Sequence, residues 1–490
     1  LIEIPTRRYI VNGILEKLQP IFKPESIAVL GASDKPGKWG YVMVERPLKT
    51  GFGGAIYPVN PHKEDILGLP TYPSVLNIPH EIDLAVIVAP AATTPKLMQE
   101  CVAKNVKGAI IISAGFAEAG KEGKTLEEEV VRIAREGRIR FVGPNCMGIW
   151  SAAGKLNLCF NQAPKPGAIA FVSQSGTFGG YLSEIASAKG YGLSKFVSAG
   201  NQADITVSEY LEYLATDNDT KVIVFYIEGF KDGRRFFELA REVIKEKPII
   251  IYKGGRTAAG ARATLSHTAS LAGSDDIFES MCRQVGLIRA GEAIHSFEMA
   301  EALVGQPLPK GKRVAIMGSG GQGVVITDAC ASLGLEVPEF DSETSSSLQK
   351  MLPPHAPPAR NPVDFAGSYR TTFNEVLVCE KLLNLDYIDG IITNVPVNPM
   401  VWGLKPASAE ADKTSSDSIE ASFQAARQFA ALPRKYGKPV VTLRFRRTED
   451  PTINILKEAG IPVYDTPEQA ARAMHALIKY AEARNIIKHN

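Results

Sequence analysis

No uninterrupted apolar run of transmembrane length occurs in this chain of 490 residues, so no membrane-spanning helix is expected. Neither charge is in excess. With 55 Lys and Arg against 53 Asp and Glu, no nucleic acid and no anionic membrane surface is implied as a partner, and any anion must be bound locally. Cysteine is sparse and scattered: Cys101, Cys146, Cys159, Cys282, Cys330 and Cys379 form no Cys-x-x-Cys pair, which speaks against a zinc site or a disulfide framework. No metal site is expected. The opening residues, L-I-E-I-P-T-R-R-Y, lack the basic-then-apolar layout of a signal peptide, and a cytoplasmic location is expected. What remains, 45% hydrophobic and 22% charged, is the composition of a globular enzyme.

The length suggests about three domains at roughly 150 residues each. From Ser26 onward one cadence repeats, a short β-branched run, a glycine or small polar turn, then a longer amphipathic stretch, which is the rhythm of βαβ units. Runs at 27–30, 55–59, 84–88, 109–112 and 139–142 predict five parallel strands. A polar link at 151–158 leads to a second set at 168–172, 195–198, 221–226 and 248–252. After a linker at 306–312, a third set falls at 313–317, 335–340, 390–395, 439–443 and 461–464. The polar stretch 408–418 reads as a mobile loop. The fold class is therefore α/β, with three tandem doubly wound, Rossmann- or flavodoxin-like domains and mostly parallel sheets that place ligands at their carboxyl ends.

Three glycine-rich turns follow predicted strands. The first, G-A-S-D-K-P-G-K-W-G (31–40), suits a phosphate held by backbone N–H groups. It misses the P-loop pattern, because five residues separate Gly31 from Gly37 and Trp39 follows Lys38. The second strand ends V-N-P-H-K (59–63), which offers a ribose no carboxylate but the cation of Lys63. Coenzyme A, with its ribose phosphate, suits Lys38 and Lys63 better than NAD; a ligand-free turn is the alternative. The second, S-Q-S-G-T-F-G-G (173–180), aims the Ser175 and Thr177 hydroxyls and the Gly176 N–H at an anion, although a plain Ser cap explains Ser175 nearly as well. The third, M-G-S-G-G-Q-G (317–323), satisfies G-x-G-x-x-G, with Glu339 or Asp341 about twenty residues on.

In L-S-H-T-A-S-L-A-G (265–273), His267 stands among small residues that leave room for an approaching group. A histidine nucleophile needs its second ring nitrogen held by an acceptor. Glu228, after the strand at 221–226, is a candidate; pairing with Arg234 or Arg256 is its other reading. No metal-ligand companions surround His267.

S-H-T-A-S-L-A-G, S-Q-S-G-T and G-P-N-C-M-G (143–148) together resemble the phosphohistidine segment, the phosphate-cradling helix start and the CoA-domain signature of the α subunits of NDP-forming acyl-CoA synthetases. The third domain is similar to the longer arrangement found in ADP-forming acetyl-CoA synthetases. The resemblance implies a CoA-binding Rossmann-like domain at 1–148, a phosphohistidine-carrying flavodoxin-like ligase domain at 149–306 and a second flavodoxin-like ligase or interface domain at 307–490. It also implies a reaction. Acyl-CoA and phosphate give an acyl phosphate and CoA, the acyl phosphate phosphorylates His267, and the phosphoryl group passes to ADP.

By the same resemblance Glu228 orients His267, and Ser175, Gly176 and Thr177 hold the transferring phosphoryl group. Gly31, Ser33, Lys38 and Lys63 line the CoA phosphates, Val88, Ala89, Pro90 and Ser113 border its adenine and pantetheine, and Asn145 lies near the thioester. No ATP-grasp segment appears, so ADP or ATP with Mg2+ is expected on a partner, an ATP-grasp β subunit in an α2β2 heterotetramer. Two competing functions remain, a dinucleotide-dependent oxidoreductase using the third turn and a non-catalytic CoA-sensing module.

Overall fold

The computed structural model describes residues 13–268, 274–366, 372–394, 411–444 and 451–488, with the side chains of 265–268, 372–374, 411–419 and 485–488 also outside the described set. Contacts divide the chain into two compact units, the first ending at Phe297 and the second beginning at Glu298.

The first unit holds two sheets. One is built from β1 (Ser26–Leu30), β2 (Ala55–Val59), β3 (Leu84–Ile87), β4 (Gly108–Ile111) and β5 (Arg140–Val142), in the order β2-β1-β3-β4-β5 and parallel throughout. Every residue of β1, β3 and β4 is buried, as strands covered on both faces must be, which is why each reads as a continuous apolar run. Helix α1 (Trp39–Thr50) follows the first glycine-rich turn, and α2 (Lys121–Glu136) lies between β4 and β5.

The second sheet contains β6 (Ile149–Ser151), β7 (Leu156–Asn157), β8 (Pro166–Ser173), β9 (Leu193–Ser198), β10 (Val222–Ile227), β11 (Ile249–Lys253) and β12 (Ile288–Arg289), ordered β12-β11-β10-β8-β9-β6-β7. Strands β8 to β12 are parallel, and β6 and β7 add an antiparallel edge. The stretch 151–158, expected as a plain link, thus forms the turn and second strand of a hairpin whose Trp150 and Leu156 lie in the core. Helix α3 (Gly176–Ala188) follows β8, α4 (Ala258–Thr268) follows β11, and α5 (Asp275–Val285) precedes β12. At the opposite end of this sheet, fully buried Lys195 is bonded to Asp217 at 2.5 Å, and Lys247 donates to the carbonyls of Leu214 and Asp217 at 2.7 and 2.6 Å.

The second unit carries β13 (Val314–Gly318), β14 (Val363–Asp364), β15 (Gly390–Asn394), β16 (Val440–Leu443) and β17 (Val463–Tyr464), ordered β14-β13-β15-β16-β17 and parallel. The expected strand at 335–340 is absent: one bridge joins Arg313 to Glu336, and Pro338, which has no N–H for a ladder, gives its carbonyl to Asn361 Nδ2 at 3.0 Å. β14 takes its place beside β13. Helix α6 (Gly321–Ser332) follows the third glycine-rich turn, and α7 (Ala411–Tyr436) corrects the expected loop at 408–418 for residues 411–418, while 408–410 lie outside the described residues. The later residues of that helix, Ala425, Phe429 and Leu432, are buried in the core.

The parallel strands of all three sheets share one order, second-first-third-fourth-fifth by sequence, with the crevice for a ligand between the first and third. No helix among the described residues is long and apolar enough to cross a membrane.

Candidate functional site

In the first sheet the crevice lies where β1 and β3 end. Gly31 has φ +90°, and a Cβ there would stand 3.2 Å from the Val88 carbonyl, so the backbones meet as only glycine permits. Asn60 Nδ2 braces the turn by donating to the Ala32 carbonyl at 2.8 Å. Ser33 Oγ accepts from Lys35 N at 3.2 Å, and Lys38 is the residue preceding α1. Lys63 reaches the same turn but is paired with Asp34 at 2.6 Å, and that hydrogen bond holds the exposed Asp34 carboxyl below the usual carboxylate range. The Ser113 hydroxyl donates to the Ala89 carbonyl, and Pro90 opens a helical turn at Ala91–Thr93.

The second crevice lies where β8 and β10 end. Ser175 caps α3, its Oγ accepting from Phe178 N at a long 3.4 Å, so most of its hydrogen-bonding capacity is left for another partner. Gln174 ties the two strand ends together: Oε1 accepts from the N–H groups of Glu228 and Gly229, and Nε2 donates to the Gly229 carbonyl at 2.6 Å. Glu228 is 5% exposed and accepts from the Tyr226 hydroxyl at 3.1 Å. Burial, reinforced by that carboxylate, pushes the Tyr226 phenol up, so it stays a donor. Arg234 pairs instead with Glu238 at 2.9 Å, and the Arg256 guanidinium lies over the Tyr252 ring at 5.5 Å. His267 falls in the last turn of α4; its side chain lies outside the described residues, as do residues 269–273.

A cavity of about 320 Å³ joins the two regions within this unit. Val88, Ser113, Asn145, Ser175, Gly176 and Thr177 line it, whereas Gly31, Ser33, Lys38, Lys63, Ala89, Pro90 and Glu228 do not. Among the described residues the only titratable side chain in the wall is Cys146, whose thiol burial pushes up to about 12, so it is no nucleophile at neutral pH. An anion there meets neutral dipoles and the α3 N-terminus. Trp39, Gln174 and Asn201 also line the cavity and were not singled out from sequence; Gln174 stood within S-Q-S-G-T, but a carboxamide announces nothing until its partners are seen.

The third crevice is different. Gly320 N donates to Asp364 Oδ1 at 3.0 Å, placing a carboxylate at the start of α6 where a pyrophosphate would bind. Asp341, one of the two candidate ribose partners, instead caps the helix Ser342–Gln349, accepting from Thr344 N at 2.7 Å. These positions do not fit a dinucleotide. No group of three or more metal-ligating side chains occurs among the described residues.

Known proteins match most of the chain. Residues 25–152 match a CoA binding domain, 166–303 a succinyl-CoA ligase like flavodoxin domain, and 313–403 a ligase-CoA domain. The ADP-forming acetate–CoA ligase II subunit alpha of Pyrococcus furiosus is 40% identical over 467 residues, 95% of this chain and 98% of that one. The ADP-forming acetate–CoA ligase I of Archaeoglobus fulgidus is 37% identical, and the match spans 95% of this chain but 64% of that longer protein. An acetyl-coenzyme A synthetase 1 of Ca. Korarchaeum cryptofilum, solved in complex with phosphate and ADP, superimposes with a TM-score of 0.83 at 32% identity, covering 96% of this chain and 98% of that one. The chain belongs to the family of ADP-forming acetate–CoA ligase alpha subunits.

Proposed function

We propose that this chain interconverts acyl-CoA, ADP and phosphate with a carboxylic acid, ATP and CoA, acetate being the default acid, through an acyl phosphate and a phosphohistidine on His267. The observation that carries the reading is the cavity in which Ser175, Gly176 and Thr177, at a helix start, share a wall with Asn145 and Val88. The dipole of α3 and its unpaired N–H groups favour an anion at that point, and donors already aimed there need no rearrangement as charge develops.

CoA is a substrate. Its phosphates are assigned to the turn of Gly31, Ser33, Lys38 and Lys63, with Val88, Ala89, Pro90 and Ser113 along its length and Asn145 beside the thioester. Glu228, held at the end of β10 by Tyr226 and Gln174, orients His267. The domain division assigned is 1–148 for CoA, 149–306 for the phosphohistidine and 307–490 for the second ligase or interface domain.

Transfer from His267 to ADP requires a nucleotide site. The relatives' designation as subunit alpha implies a partner subunit. We assign it an ATP-grasp fold, an α2β2 assembly, the Mg2+-bound nucleotide and a cytoplasmic setting. Incubating the chain with acetyl-CoA and radiolabelled inorganic phosphate is expected to leave an acid-labile phosphoryl group on it, lost completely in His267→Ala. Failure of the parent protein to take label under conditions where CoA binds would favour a CoA sensor instead.

A further inference from the structure

Asn201 follows β9 in the turn S-A-G-N-Q and lies between two carboxylates. Its Nδ2 donates to Glu118 Oε2 at 2.5 Å and to Glu127 Oε2 at 2.8 Å. Backbone amides anchor both acceptors: Glu118 Oε1 takes the N–H groups of Gly115 and Phe116 at 2.6 and 3.1 Å, and Glu127 Oε2 takes that of Ala117 at 3.4 Å. Burial pushes the Glu118 carboxyl up, but the bonds from Asn201, Gly115 and Phe116 outweigh it and hold the group below the usual range. The nearby cation is Lys231, whose Nζ donates to the Gln202 carbonyl at 2.8 Å and whose charge lies close to Glu127.

An ionised carboxylate only accepts hydrogen bonds. The NH2 side of Asn201 must face Glu118 and Glu127, which turns its Oδ1 the other way, and there Asn145 Nδ2 donates to it at 3.3 Å. The orientation of Asn145 is set in turn. One Nδ2 hydrogen goes to Asn201, leaving the second for the cavity that both residues line. The backbone holds the two turns together as well: Asn201 N donates to the Pro144 carbonyl at 2.9 Å, and a Cβ on Gly200 would stand 2.2 Å from that oxygen.

We propose that Asn201, clamped by Glu118 and Glu127, is a positioning residue that presents an Asn145 side-chain N–H to the acyl oxygen during attack on the thioester. The proposal rests on the function proposed above. In that step a phosphate oxygen bonds to the carbonyl carbon and the C–S bond breaks. The electron pair leaves on sulfur, and the proton carried by hydrogen phosphate ends on the CoA thiol. The carbonyl oxygen becomes negative on the way, and one donor aimed at such an oxygen contributes about 10²- to 10³-fold in rate.

The test is CoA thiol release from acetyl-CoA and inorganic phosphate by the parent chain, Asn201→Asp and Glu118→Gln, with melting curves as a check on folding. At about pH 8 the carboxylate introduced by Asn201→Asp cannot donate to its two neighbours, and kcat should fall about 10²-fold with the KM for phosphate little changed. Like-charged neighbours raise the pKa of that new group. Near pH 6 its protonated form donates one O–H and shows a carbonyl to Asn145, so the deficit relative to the parent at the same pH should shrink roughly tenfold. Glu118→Gln, which both donates and accepts, should cost roughly tenfold in kcat by releasing the clamp. A pH-independent deficit, or parental rates in both variants, would overturn the positioning role. No CoA release by the parent would overturn the functional reading itself.

Discussion

The helix starts at Gly176 and Gly321 sit at the same point of the same strand order, yet one opens on a cavity and the other meets a carboxylate. Topology offers an anion seat at both. Side chains decide whether it is used: Ser175 and Thr177 present neutral hydroxyls, whereas Asp364 Oδ1 takes the N–H groups of Gly320 and Ala366 at 3.0 and 2.8 Å. A glycine pattern therefore reports a helix start that could bind phosphate, and the residue across from it reports whether it does.

Transplanting the difference should give the largest effect. Thr177→Asp places a negative charge in the first turn of α3, which helices favour, so melting temperature should hold or rise slightly while acyl-CoA-dependent phosphorylation falls on the order of 10³-fold. Full activity in this variant would mean that α3 is not the phosphate seat. Next comes Glu228→Gln, which keeps shape but removes charge. Phosphorylation of His267 should slow roughly 10²-fold in single-turnover labelling, with acetyl-CoA binding unchanged by calorimetry.

The reverse change, Asp364→Asn, should leave phosphorylation intact and lower the denaturant stability of the second unit by about 1 to 3 kcal/mol, because two backbone N–H groups lose a charged acceptor. A drop in activity of tenfold or more would show that the third helix start takes part after all. The smallest effect lies away from both. Burial holds Lys247 down to about 8, so between that value and its unfolded value of 10.5 the folded chain binds fewer protons than the unfolded one. Its contribution to stability rises with pH through that window. The parent should gain on Lys247→Gln as urea melts are moved from about pH 8 to pH 10.

The central parallel strands were legible because burial on both faces demands unbroken β-branched runs, and 27–30, 84–88 and 109–112 all coincide with buried strands to within a residue. Edges were not. β6 and β7 have three and two residues, too few to establish a period, and Leu335 to Phe340 looked like a strand until Pro338 withheld its N–H. In the site, glycines and hydroxyls at helix starts could be read from local pattern. Gln174 and Asn201 could not, since each acts through partners 54 or more residues away in sequence.

The six cysteines carry a last consequence. All are buried and none is in a disulfide, and Cys146, in the wall of the cavity beside Asn145 and Ser175, has its Sγ 3.3 Å from the Ile111 carbonyl. Burial pushes its thiol well above the ordinary thiol range, so it stays protonated at neutral pH. An enzyme that liberates a free mercaptan at every forward turnover is thereby shielded from being captured by its own oxidised product as a mixed disulfide.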